Sequence, residues 1–263
     1  MWGKLLAVVF VVAALAGCDR TPPAYESRYT PPPPTTPAWL PAEHPPFDPG
    51  TIAAALQSQQ PYAIAVLGDS TGNAPDEWVH RVAQRIAEDY GREVTVNGWN
   101  GETNRYEYVT VYGSGSPVTV WNASAPGEPA QYSIEWYPQM VPQPVNLTFI
   151  NHSHNRTSDV LLGAASLIDT SYANTLPGGG VVVILQNPRI DAPAHEGQKM
   201  IARLREIYSD PRYGAVTVDV FSAFTDTGNV PALLGTDGAH PNEQGSQLWA
   251  DTVWSTLGLG QAT

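Results

Sequence analysis

From residue 51 onward the chain alternates between short apolar runs and longer segments of helical periodicity, and few architectures satisfy that order. Residues 62–67 (YAIAVL) form an unbroken apolar run closed by Gly68, which suits a strand buried on both faces. Residues 76–90 then place Trp78, Val79, Val82, Ala83, Ile86 and Ala87 on one helical face. Further strands read at 93–96, 145–150, 180–185 and 215–220, with helical patterns at 158–173, 196–208 and 242–257. Strand–helix–strand connections are right-handed and build a parallel sheet covered on both sides. The expected fold class is therefore α/β: a three-layer α/β/α sandwich around a central, mostly parallel five-stranded sheet. Residues 104–144 break the rhythm with Tyr106, Tyr108, Val109, Val111, Val118, Val120 and Trp121, and read as an elaborated crossover carrying a β-hairpin.

The segments ahead of this 51–263 domain are of another kind. Lys4 precedes an apolar run at 5–15, too short to span a bilayer comfortably, and Leu15-Ala16-Gly17-Cys18 follows. Residues 1–18 thus read as a secretory signal, and the tetrapeptide resembles a bacterial lipobox with Cys18 as the lipidated residue. Cys18 is the one cysteine of the chain, so it has no intramolecular disulfide partner and cannot build a thiolate metal site. Residues 19–50 are rich in proline, which fixes φ and removes backbone donors, so an extended spacer of up to roughly 90 Å is expected. The predicted location is the outer face of a cell membrane, with Cys18 as the anchor. A net charge of −12 and the absence of any Lys/Arg cluster argue against nucleic acid as a partner.

Parallel sheets place their ligand sites at the carboxyl ends of the strands. Gly68-Asp69-Ser70 closes the first strand there, where a serine hydroxyl sits at the rim and the following turn and helix start offer backbone N–H groups to an oxyanion. Asn97-Gly-Trp-Asn-Gly101-Glu-Thr103 follows the second strand and Asn151-His-Ser-His-Asn155 the third, both on strands expected to neighbour the first. Asp237-Gly-Ala-His240-Pro241 precedes the last helix. An aspartate three residues before a histidine is common in ordinary turns. In company with the other three loops, it reads as the acid–base part of a nucleophilic site.

These four blocks resemble those of the SGNH, or GDSL, hydrolase superfamily, over about residues 60–258. Gly68-Asp69-Ser70 is similar to the nucleophile block, Gly101 to the glycine block and His154-Asn155 to the asparagine block. Ser153 stands where glycine is common, and Arg156 where an aspartate is usual. Asp237-Gly-Ala-His240-Pro241 is similar to the Asp-x-x-His-Pro block. The resemblance implies a flavodoxin-like sheet and a serine esterase or lipase without a cofactor. It makes Ser70 the nucleophile, His240 the general base and Asp237 its orienting acid. The backbone N–H groups of Ser70 and Gly101 and the Asn155 amide become the oxyanion donors.

The remaining candidates are weaker. His152 and His154 lack a clear third ligand, so no metal is expected, and His154 is assigned to the cleft. Trp121 serves either a substrate platform or core packing. Asp69 is expected to accept backbone N–H bonds and shape its turn, and Asp191 to border the pocket or lie on the surface. The predicted activity is hydrolysis of carboxylic esters, on O-acyl groups of envelope glycans or lipids, by a membrane-tethered monomer. Acyl transfer from the same site, or a non-catalytic envelope-binding role, are the alternatives.

Overall fold

A computed structural model describes residues 42–155 and 160–260; the expected signal segment, Cys18 and most of the proline-rich linker lie outside the described residues. In chain order the elements are α1 (Gly50–Gln57), β1 (Tyr62–Gly68), α2 (Trp78–Tyr90), β2 (Arg92–Asn100), β3 (Arg105–Gly113) and β4 (Ser116–Ser124). Next come α3 (Ala130–Glu135), α4 (Tyr137–Met140), β5 (Val145–Asn151), α5 (Val160–Tyr172) and β6 (Thr175–Leu185). The series closes with α6 (Ala194–Tyr208), β7 (Val216–Asp219), α7 (Val220–Asp226) and α8 (Glu243–Thr256). Among the described residues no helix is long and apolar enough to cross a membrane.

Every residue of β1 is buried, as its unbroken apolar run requires. Because side chains alternate across a sheet, Ile64 and Val66 enter one core while Ala63, Ala65 and Leu67 enter the other. The first core is roofed by α1, α2, α7 and α8, and the second includes side chains of α3, α4, α5 and α6. Helix α2 buries the expected stripe, and its Trp78 stacks on Trp249 of α8 at a ring-centroid distance of 5.9 Å. It ends at Gly91, whose φ of +61° is the left-handed cap that glycine adopts without strain.

The sheet has seven strands, in the order β3-β2-β4-β1-β5-β6-β7, and every pair is parallel except β2 with β3. The α/β sandwich stands, but the expected count of five strands is corrected. The 104–144 segment supplies the two additional strands. Strand β3 forms the hairpin with β2 and stays at the edge, where Tyr108, Val109 and Val111 are exposed. Strand β4 then returns between β2 and β1, pairing with both in parallel. The second strand therefore does not neighbour the first, as the sequence suggested; β4 does. Local composition rich in Val, Thr, Trp and Tyr marks strand character without saying whether a strand is central or at an edge.

Two further features tie the periphery down. Arg92 is fully enclosed, and its guanidinium donates to the carbonyls of Leu56 (2.6 Å), Gln60 (2.5 Å), Ser116 (2.9 Å) and Pro117 (3.0 Å). A buried cation persists only when its donors are satisfied, and here four carbonyls at the amino-terminal edge of the sheet do so. The end of the proline-rich segment also docks. His44 N–H donates to Arg212 O, Phe47 N–H donates to Gly214 O, and the His44 ring stacks on Tyr172.

Candidate active site

Strand β1 delivers Asp69 and Ser70 to the rim. Gly68 at its end packs closely, since an added Cβ would lie 3.2 Å from both Asn151 Cβ and Ser124 Oγ and push them back by a few tenths of an ångström. Residues 71–77 follow as turns, and α2 begins at Trp78, two residues after the expected start of the helical pattern at 76. Asp69 is completely buried and accepts hydrogen bonds from Thr71 N–H (3.1 Å) and Thr71 Oγ–H (2.8 Å), the turn-shaping role its position suggested.

Ser70 Oγ lies 2.7 Å from His240 Nε2, and His240 Nδ1 lies 2.6 Å from Asp237 Oδ2. The other carboxylate oxygen of Asp237 accepts the N–H groups of Ala239 (3.0 Å) and His240 (3.1 Å). Partial burial pushes the Asp237 carboxyl up, but these two backbone donors and the imidazole outweigh it and hold it below the usual carboxylate range. Since a carboxylate only accepts, Nδ1 carries the imidazole proton and Nε2 presents its lone pair to the serine. The turn is held from behind: Ile190 N–H donates to Gly238 O and Gly235 N–H donates to His240 O, each at 2.8 Å. Gly238 has φ +69°, and a Cβ there would meet Ile190 Cγ1 at 2.8 Å. Asn242 then caps α8 through Gly245 N–H.

The expected oxyanion donors are distributed differently. Asn155 Nδ2 donates to Glu128 O at a long 3.4 Å. Gly101 sits in the β2–β3 turn, with β4 between its strand and β1; a Cβ on it would approach Ala125 Cβ and Tyr132 Oη at 3.9 Å. Ala125 N–H in turn donates to Gly68 O at 2.9 Å, so the loop leaving β4 lies beside the Ser70 turn, a placement that local composition does not reveal.

His154 donates through Nε2 to Asn187 O (2.8 Å), and burial holds its imidazole below the ordinary value. Trp121 projects from β4 against Tyr106, at 5.0 Å between ring centroids, and packs on the second core. Asp191 pairs with Arg189, whose bond pulls the carboxyl pKa down. Among the described residues, no three His, Cys, Asp or Glu side chains gather as a metal site. Sequence reasoning passed over Gln186 and Asn187, both buried at the carboxyl end of β6; the signal available was two amides directly after an apolar strand. Beside residues 73–75 lies a groove of about 680 Å³, lined among others by Asn73, Trp99, Tyr108, Asn122 and Ser124.

His152 is buried, bonds Ser133 Oγ at 2.9 Å, and burial lowers its pKa from 6.5 to about 4. The unfolded chain therefore binds a proton between these values that the folded chain refuses, so stability falls as pH drops from 6.5 towards 4. Denaturant titrations across this range are expected to show that loss, and His152→Gln to flatten it by up to about 1.4 kcal/mol per pH unit. Identical slopes in both proteins would contradict the assignment.

No family sequence profile and no curated protein sequence matches the chain. Solved structures do share its fold. A catalytic mutant of Axe2, an acetylxylan esterase from Geobacillus stearothermophilus, aligns with a TM-score of 0.56 at 12% identity, over 75% of this chain and 94% of that one. The lipase/acylhydrolase from Enterococcus faecalis aligns at 0.55 with 16% identity, over 76% and 100%. A protein from Parabacteroides merdae assigned as a GDSL-like lipase aligns at 0.55 with 14% identity, over 83% and 100%. Together with the seven-stranded, mostly parallel sheet, these likenesses show that the chain shares the fold of these esterases and lipases.

Proposed function

We propose that this chain hydrolyses carboxylic esters through an acyl-enzyme on Ser70. The observation that carries the proposal is the continuous hydrogen-bonded path from Ser70 Oγ through His240 to Asp237. A serine hydroxyl is a weak nucleophile until a neighbouring base takes its proton. His240 Nε2 accepts that proton as Oγ attacks the ester carbon, then returns it to the departing alcohol. Asp237 holds the tautomer and balances the imidazolium. Water repeats the sequence to release the acid.

The developing oxyanion is assigned to the Ser70 N–H and the Asn155 amide, whereas Gly101, separated from β1 by β4, is left out of it. Asn155 leaves Glu128 O to do so, and a hydrogen bond of 3.4 Å costs little to release. Each such donor typically lowers the barrier by about 2.7–4 kcal/mol. For the alcohol half, the groove beside residues 73–75 favours an acylated sugar over a bare alkyl ester. Tyr108 offers an exposed aromatic face and Asn73 an exposed amide, while Trp99, Asn122 and Ser124 form the buried floor. Cys18 and the proline-rich segment support a chain exported and tethered by lipid outside the cell, with envelope glycans or lipids in reach.

The test uses the detergent-solubilised full chain. A fluorophosphonate probe is expected to label the peptide containing Ser70, and p-nitrophenyl acetate to be turned over. A folded protein that does neither is a binding module, and the esterase reading falls.

A further inference from the structure

Three loops that meet at the site come from separate parts of the fold: the turn after β1, residues 151–155 after β5, and the turn 237–240 before α8. Backbone pairing joins β1 to β5, but it does not fix any of these loops to the others beyond the strand ends. We propose that Gln186 and Asn187, the two residues that follow β6, are positioning residues that lock all three loops in one arrangement. The inference rests on the esterase reading for its kinetic consequence, though not for its geometry.

Gln186 is fully buried, with both ends of its amide engaged. Nε2 lies 3.0 Å from both carboxylate oxygens of Asp69 and 3.0 Å from Thr71 Oγ1, with Asn151 O at 3.3 Å. Oε1 accepts from Ser153 N–H, from Ser153 Oγ–H at 2.7 Å and from His154 N–H at 2.8 Å. Turning the amide over would set its oxygen against a carboxylate and its NH₂ against two backbone N–H donors. The orientation is therefore fixed by chemistry. One side chain thus joins the residue before the nucleophile to the residues before Asn155.

Asn187 continues the tie. Its Nδ2 donates to Ala239 O (2.9 Å), between Asp237 and His240, while its own carbonyl accepts His154 Nε2–H (2.8 Å). The dipeptide reaches the nucleophile turn, the asparagine segment and the acid–base turn from one rigid strand end. Displacing a catalytic group by about 1 Å can cost on the order of a hundredfold in rate, and this clamp sets the separation of all three.

Two variants test it, each compared with wild type at fixed fluorophosphonate-titrated site concentration. In Gln186→Leu the Ser153 and His154 amides lose their acceptor. Their hydrogen exchange is expected to speed up at least about tenfold while β1 and β5 stay protected. The kcat for p-nitrophenyl acetate per titrated site is expected to fall at least about tenfold with KM within about threefold, since substrate-binding groups are untouched. Gln186→Glu keeps the acceptor and, while protonated, still donates to Asp69. Its kcat relative to wild type is expected to be nearly restored at the acid end of the range and to fall as pH rises, whereas the leucine deficit stays flat. Unchanged exchange at Ser153 and His154, or kcat per site within about twofold of wild type in both variants, overturns the clamp. Wild-type protein without esterase activity defeats the functional reading instead, and the exchange result then decides the clamp alone.

Discussion

Ser70→Ala is expected to lower kcat for ester hydrolysis by a factor on the order of 10⁴ to 10⁶ while leaving the fold intact. The substitution removes one oxygen that is bonded to His240 and sits at the rim, so no buried donor or acceptor is orphaned. The Asp69 turn keeps its bonds to Thr71 and Gln186, and β1 keeps both neighbouring strands. What disappears is the atom proposed to form the acyl bond, and neither His240 nor Asp237 can replace it along the same path. Steady-state kinetics on p-nitrophenyl esters, with a thermal melt beside them, read out both halves. A melt within a degree or two of wild type together with an unchanged rate would end the mechanism.

Asp237→Asn is expected to cost about 10³- to 10⁴-fold in kcat through a change in where one proton sits. In the native turn, one carboxylate oxygen is claimed by the Ala239 and His240 N–H groups and the other faces His240 Nδ1. An asparagine must keep its oxygen on those two backbone donors, which turns its NH₂ toward Nδ1. The imidazole is then driven to carry its proton on Nε2, where it donates to Ser70 instead of accepting from it. The lower bound reflects exposure: the Asp237 side chain is 51% accessible, so water competes for the ring and part of the population keeps the useful tautomer. Nitrogen-15 shifts of the His240 ring should report the exchange of tautomers, and a variant with wild-type kcat would refute the role.

The reach of the sequence followed what each signal measures. Periodicity and unbroken apolar runs are long and redundant, so β1, β5, β7, α2, α6 and α8 were legible with boundaries close to the observed ones, while β6 begins five residues earlier than its apolar run, at Thr175. Ser70, Asp237 and His240 were legible because Ser70 lies just past a long apolar strand run and Asp237 and His240 fall in a compact Asp-x-x-His-Pro block, and the structure brings their polar atoms within 2.7 Å of one another in sequence along the path. The position of β4 was hidden because strand order in a sheet is set by long-range packing, to which local composition is blind. With β4 went the correct neighbour of β1 and the loop at 125–128 that meets Asn155 and Gly101. Gln186 and Arg92 were invisible for a related reason: buried polar side chains gain their meaning from partners that only the completed sheet supplies.

The insertion of β4 also governs how the chain must reach its folded state. The centre of the sheet cannot be assembled from neighbours in sequence, since residues 62–68 wait for 118–124 on one side and 147–151 on the other. The β2–β3 hairpin forms by local closure and can pack on α2, yet it joins the rest of the sheet only when β4 arrives between it and β1. Loop-closure entropy is thus spent before the central contacts return it, which slows folding relative to a chain built from local contacts. During that interval the apolar edge of β1 stands open, and the hairpin's Tyr108, Val109 and Val111 remain exposed even afterwards.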